Sequence, residues 1–280
     1  MSEPLVSTAW LGERLGDRYV QIVDATWFMP GEGRLGHDAY AAGHIPGAVF
    51  FDIDEIADHT TDLPHMLPSP EGFAEAAGRL GLRRDATVVV YDGQGIFSAP
   101  RVWWTLRTMG FPQVFVLDGG FPKWRAENRP IETKAADPPA TTLAPALEPE
   151  LVRDIDAVRA TLERGDAQVV DARSGPRFRG EAPEPRAGLR GGHMPGAHNV
   201  PWNGLIGADG AMKPASDLRA AFEAAGVDLA RPIVTTCGSG VSAALLALAF
   251  ARLGREDVAV YDGSWTEWGG RPDTPVATGA

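Results

Sequence analysis

One side chain among 280 residues carries a thiol, and it stands in a loop suited to reactive chemistry. Cys237-Gly238-Ser239-Gly240-Val241-Ser242 follows the β-branched run Ile233–Thr236 and leads into the Ala- and Leu-rich run Val241–Leu253, the pattern of a strand giving way to a helix. Two glycines let the backbone curl so that successive N–H groups point inward. The helix start adds unsatisfied N–H groups and the positive end of its dipole. Such a cradle stabilises an anion, and the nearest candidate anion is the Cys237 thiolate, the nucleophilic form. A buried cysteine can also be no more than a small hydrophobe. Gly238-Ser239-Gly240-Val241-Ser242-Ala243 further fits the dinucleotide fingerprint G-x-G-x-x-A, with Asp262 downstream. Against that reading, a cysteine occupies the turn where a pyrophosphate would approach, and the loop lies late in its domain. A cysteine phosphatase needs a longer loop closed by an arginine, and here Ala243 stands in that place.

The elements that hold this loop are written twice. Val23-Asp24-Ala25 returns as Val170-Asp171-Ala172, and Gly43-His44-Ile45-Pro46-Gly47-Ala48 as Gly192-His193-Met194-Pro195-Gly196-Ala197. Asp118-Gly119 with Trp124 returns as Asp262-Gly263 with Trp268, all at one spacing of about 145 residues, the size of a domain and not of a solenoid unit. Strands are expected at Tyr19–Asp24, Val88–Tyr91, Val114–Leu117, Gln168–Asp171, Ile233–Thr236 and Val258–Tyr261. Helices are expected at Pro70–Leu80, Ala99–Met109, Asp217–Ala225 and Val241–Leu253. Alternation of this kind predicts an α/β fold of tandem domains, each a parallel sheet flanked by helices, with sites beyond the carboxyl ends of the strands. The expected division is a first domain over 1–134, a Pro- and Ala-rich linker over 135–150 and a second domain over 151–280. A cleft between the two is the expected place for a small-molecule site. Asp92-Gly93-Gln94-Gly95 stands at the strand end equivalent to Cys237, so the first domain is expected to be catalytically silent.

Composition removes other classes. The charge of −11, from 26 Lys+Arg against 37 Asp+Glu, disfavours a nucleic-acid partner. No apolar run approaches the roughly 20 residues that span a bilayer. One cysteine allows neither an internal disulfide nor a Cys-rich zinc cluster, and the six histidines show no ligand spacing. Met1-Ser2-Glu3-Pro4-Leu5 has neither the basic nor the apolar region of a secretory signal. The expectation is a soluble cytoplasmic protein with no cofactor, no metal and no membrane association. His44 and His193 are read as turn-forming residues of their Gly-His-x-Pro-Gly segments.

Two G-H-x-P-G-A segments and the C-G-S-G-V-S loop together resemble the rhodanese superfamily over the whole chain. Members specific for thiosulfate typically follow the cysteine with a basic pair; Gly238 and Ser239 resemble the branch that uses 3-mercaptopyruvate. The resemblance implies a sulfurtransferase: Cys237 takes sulfur from 3-mercaptopyruvate as a persulfide, releases pyruvate, and passes the sulfur to a small thiol, a thioredoxin-like protein or cyanide. It implies a substrate loop of Gly238, Gly240, Val241 and Ser242. Arg177-Phe178-Arg179-Gly180 and Glu184-Pro185-Arg186 resemble the family's carboxylate-binding segment, which carries over Arg177 and Arg186; guanidinium forks suit the oxygens of an α-keto acid. Phe50-Phe51-Asp52-Ile53-Asp54 and His65-Met66-Leu67-Pro68 resemble family segments that imply a proton relay of Ser239, His65 and Asp54. Pro64 stands where the family often has Asp. Thiosulfate as donor, or a persulfide carrier serving a partner protein, are the alternatives.

Overall fold

The computed structural model describes residues 3–279 and divides into two compact units. The first holds the residues up to His59, Leu67–Glu148 and Ile206–Met212; the second holds Thr60–Met66, Pro149–Leu205 and the residues from Lys213 on. In the first, β1 (Leu5–Val6), α1 (Thr8–Gly12), β2 (Val20–Asp24), α2 (Gly36–Ala42), β3 (Val49–Phe50), α3 (Pro70–Arg79), β4 (Thr87–Tyr91), α4 (Ala99–Thr108), β5 (Val114–Leu117) and α5 (Gly120–Ala126) follow in order. The second runs β6 (Val152–Arg153), α6 (Ile155–Arg164), β7 (Gln168–Asp171), α7 (Gly175–Phe178), β8 (His198–Asn199), α8 (Ala215–Ala224), β9 (Ile233–Thr236), α9 (Val241–Arg252), β10 (Ala259–Tyr261) and α10 (Ser264–Gly270).

Each unit is a five-stranded parallel sheet, in the order β1-β5-β4-β2-β3 and then β6-β10-β9-β7-β8. The central strands are unbroken apolar or β-branched runs because helices cover both faces. Val88, Val89, Val90 and Tyr91 are all buried, as are Ile233 to Thr236. α9 is apolar all round, and every residue from Val241 to Ala251 except Ser242 is buried, which makes it the core helix of its unit. Local chemistry starts the outer helices: Ser69 accepts from the Gly72 N–H at α3, and Asp154 from the Ala157 N–H at α6.

The two sheets share one register. Asp24 pairs with Tyr91 and Asp171 with Thr236, so Asp92 and Cys237 stand at the same point, one residue past the end of the central strand. The strands β1, β3, β6 and β8 are two residues each, too short for any periodicity to reveal. The Pro- and Ala-rich stretch after Ala135 lies along the first unit. Thr141 binds the backbone of Gly78 and Leu82, Arg84 reaches the Ala144 carbonyl, and the Glu148 N–H reaches that of Thr108. Gly78 permits this approach, since a Cβ there would lie 2.6 Å from the Thr141 carbonyl oxygen. Among the described residues no helix is long and apolar enough to cross a membrane.

Candidate active site

The second unit builds its site at the carboxyl end of β9. Cys237 is 2% exposed, and Gly240 turns the chain into α9 with φ 82°, a conformation that favours glycine. The loop is braced from the segment entering α10. Trp265 N–H donates to the Cys237 carbonyl (2.9 Å), while the Thr266 N–H (2.9 Å) and hydroxyl (2.6 Å) both donate to that of Gly238. Ser264 Oγ accepts from the Cys237 N–H at 3.2 Å and donates to the Tyr261 carbonyl at 2.8 Å. Ser264 holds φ 49°, a strain of about 1–3 kcal/mol that these bonds offset. Its counterpart in the first unit is Gly120, where a Cβ would lie 2.1 Å from the Gly95 carbonyl oxygen, so the serine is possible only in the second unit.

The Cys237 and Gly238 carbonyls are so engaged, whereas the N–H groups of the loop are not. Among the described residues nothing accepts from the N–H groups of Gly238, Ser239, Gly240, Val241 or Ser242, and no internal hydrogen bond engages the Ser239 or Ser242 hydroxyl. The first unit shows what such a cradle holds. There Asp92 Oδ2 accepts from the N–H groups of Phe97, Ser98 and Ala99, and Oδ1 from that of Gln94, all at 2.8–3.0 Å. A fixed carboxylate thus fills the anion position in one repeat, and in the other the cradle surrounds a thiol. Burial raises the Asp92 carboxyl above its ordinary pKa despite those four donors. Asp92→Asn turns one acceptor into a donor facing N–H groups; it is expected to lower stability by about 2 kcal/mol, read as a downward Tm shift with sulfur transfer per folded molecule unchanged.

Arg177 lies over the cysteine loop: a Cβ on Gly238 would sit 3.0 Å from its Nη2. That nitrogen donates to Glu184 Oε2 at 2.5 Å, and the buried Nε has no acceptor. Glu184 is itself buried and also takes Arg173 Nη1 at 2.8 Å. Arg173 forks onto Asp171 (3.0 and 2.6 Å to Oδ2), donates to the Gly192 carbonyl at 2.8 Å and lies 4.1 Å from the Trp265 ring centroid. Burial would lower the Arg173 pKa, but Asp171 and Glu184 reverse this and hold it above the ordinary value. A chain of alternating charges therefore runs from β7 to the loop and fixes Arg177 at its mouth. Sequence reasoning missed Arg173 and Glu184 as positioning residues. The available signal was the repeat itself, which has Thr26 where the second copy has Arg173.

Other expected site residues are placed as follows. His65 is buried with φ 60°, belongs to the second unit through the Thr60–Met66 segment, and has Nε2 3.4 Å from Arg186 Nη2. Asp54 belongs to the first unit, where its Oδ2 accepts from Trp27 Nε1 at 2.8 Å. His44 and His193 serve as structural turn residues. Each ring nitrogen Nδ1 meets a backbone carbonyl at 2.8 Å, of Tyr40 and Phe178 respectively, and each ring stacks on the same neighbour's side chain. Among the described residues no cluster of His, Cys, Asp and Glu could hold a metal ion.

A rhodanese-like domain model matches residues 7–127 and again 154–271. The chain belongs to the rhodanese family. This rhodanese is 46% identical to the 3-mercaptopyruvate sulfurtransferase of Escherichia coli strain K12, over 97% of this chain and 96% of that one. It is 43% identical to the thiosulfate sulfurtransferase of Bos taurus, over 98% of this chain and 95% of that one. Among solved structures, the crystal structure of the 3-mercaptopyruvate sulfotransferase SseA from Escherichia coli superposes with a TM-score of 0.87 at 43% identity. It covers 94% of this chain and 99% of that one. Likeness of this degree carries the tandem fold; near-equal identity to relatives named for two different donors leaves the choice of donor to the loop.

Proposed function

We propose that this rhodanese is a 3-mercaptopyruvate sulfurtransferase, with Cys237 as the sulfur carrier. The observation that carries the reading is the set of unengaged N–H groups around Cys237, with the Arg177 guanidinium set over Gly238. The Cys237 thiolate attacks the sulfur of the keto acid; an S–S bond forms, the C–S bond breaks, and its electron pair leaves as the enolate of pyruvate. The loop N–H groups stabilise the negative charge on the resulting persulfide as an oxyanion hole does. A thiol acceptor, small or thioredoxin-like, then removes the outer sulfur and regenerates the thiolate.

Two kinds of side chain select and serve the substrate. Arg177 and Arg186 bind the carboxylate and keto oxygens, which accept charge-assisted hydrogen bonds from guanidinium forks. Ser239 and His65, both of the second unit, move the proton that the substrate thiol loses and the enolate gains. Gly238, Gly240, Val241 and Ser242 supply the backbone walls of the loop. Thiosulfate, the donor in the bovine relative's name, is the alternative; a compact dianion calls for cations beside the sulfur acceptor, and Gly238 and Ser239 provide none. A lone cysteine that must stay reduced to react fits a reducing compartment such as the cytoplasm.

The deciding experiment offers both donors side by side. Pyruvate release from 3-mercaptopyruvate and a thiol is expected to exceed thiocyanate formation from thiosulfate and cyanide; the reverse order overturns the reading. Failure of both donors, with a partner protein loading Cys237, would make the chain a persulfide carrier. Arg186→Ala is expected to raise KM for 3-mercaptopyruvate about tenfold with kcat little changed, the signature of lost ground-state binding. An unchanged KM would remove Arg186 from the substrate site.

A further inference from the structure

The Arg173 side chain that anchors the second unit's site has no counterpart in the first, and a cavity marks the difference. Asp24, Thr26, Gly43, Gly93 and Phe121 line a cavity of about 330 Å³ in the first unit. By the repeat and its strand register they match Asp171, Arg173, Gly192, Gly238 and Trp265. In the second unit the guanidinium of Arg173 fills this space, forked on Asp171, bonded to the Gly192 carbonyl and stacked on Trp265. In the first unit the short Thr26 side chain folds back to accept the Gly93 N–H at 2.9 Å.

Asp24 therefore keeps the carboxylate and loses the cation. It is 2% exposed, accepts from the Thr26 N–H at 2.8 Å, and pairs with no lysine or arginine among the described residues. Burial raises its carboxyl above the ordinary pKa, outweighing the hydrogen bonds it takes from Thr26 and Tyr91. Arg34 and Arg125, both exposed, also line the cavity. Neither pairs with a carboxylate among the described residues: Arg34 lies 3.8 Å from the Phe28 ring centroid and Arg125 5.9 Å from that of Phe121. The cavity thus combines a buried carboxyl with no cation opposite it, an aromatic platform and two available guanidinium groups, at a size within the roughly 300–1,000 Å³ of small-ligand sites.

We propose that the first unit binds a guanidino carboxylic acid, its guanidinium on Asp24 over Phe121 in the place Arg173 takes in the second unit, and its carboxylate on Arg34 and Arg125. The ligand supplies from solution the cation that the sequence supplies in the other repeat. A desolvated fork on a carboxylate gives the affinity, and the paired arginines select the acid over a simple amine.

The test is calorimetric titration of the full chain with L-arginine as the probe. Saturable binding is expected, about tenfold or more tighter than that of L-citrulline, which has the same length and no charge on its head group. Thr26→Arg fills the cavity from within and is expected to abolish binding while sulfur transfer continues at the unaltered rate. Arg34→Ala with Arg125→Ala, both at exposed positions, is expected to weaken arginine about tenfold and to leave agmatine, which lacks the carboxylate, unaffected. Absence of saturable binding overturns the proposal. So do citrulline matching arginine and arginine binding that survives Thr26→Arg in the folded protein. None of the outcomes that overturn the proposal involves Cys237, so the proposal and the sulfurtransferase reading fail separately.

Discussion

Cys237→Ser is expected to lower sulfur transfer by at least about 10⁴-fold, because no other thiol in the chain can carry the sulfur. A serine hydroxyl in the same cradle is a poor nucleophile toward divalent sulfur and forms no persulfide. The fold should persist. Cys237 is buried but small, and the bonds that brace its loop run through backbone groups and through Ser264 and Thr266. The cost of a hydroxyl in that place is about 1–2 kcal/mol, a few degrees of Tm. Loss of transfer in a variant with near-normal circular dichroism and Tm supports the mechanism. Transfer at more than a hundredth of the normal rate, or a persulfide mass on the serine variant, would overturn it.

The second large effect concerns stability. Arg173→Met is expected to cost about 3–5 kcal/mol, since it leaves two buried carboxylates, Asp171 and Glu184, facing each other with their shared cation gone. For a chain of this size that corresponds to a Tm roughly 10 °C lower. Arg177 loses its anchor in the same step, because Glu184 is held by both arginines. The variant should therefore also raise KM for 3-mercaptopyruvate more than it lowers kcat. Glu184→Gln added to Arg173→Met is expected to cost less than the sum of the two single changes, because the second relieves the charge exposed by the first. Strict additivity in that cycle would mean that the buried charges do not act as a chain.

Much of this was legible in the residues themselves. The duplicated segments marked two copies of one fold, and the apolar runs at Val88–Tyr91 and Ile233–Thr236 were central strands because only a strand covered on both faces can be apolar throughout. The cysteine loop declared itself through local chemistry: small residues, a strand before and a helix after. The two-residue edge strands left no signal, because their pairing is set by the neighbouring strand and not by their own sequence. Arg173 was equally silent. An arginine after a strand reads as surface until two carboxylates, one of them from the distant Glu184, are seen closing over it.

Residue type alone singled out Cys237 as the candidate nucleophile and the second repeat as the one that carries it, since Asp92 cannot replace a thiol. What each loop holds became visible in the folded chain. In one repeat four N–H groups close on a carboxylate from their own loop, and in the other the N–H groups from Gly238 to Ser242 have no acceptor among the described residues, with Arg177 beside Gly238. That difference rests on contacts between residues far apart in the chain, from Ser264 to Cys237 and from Asp171 through Arg173 and Glu184 to Arg177. Local spacing cannot encode such contacts; they exist once the sheet has brought its strand ends together.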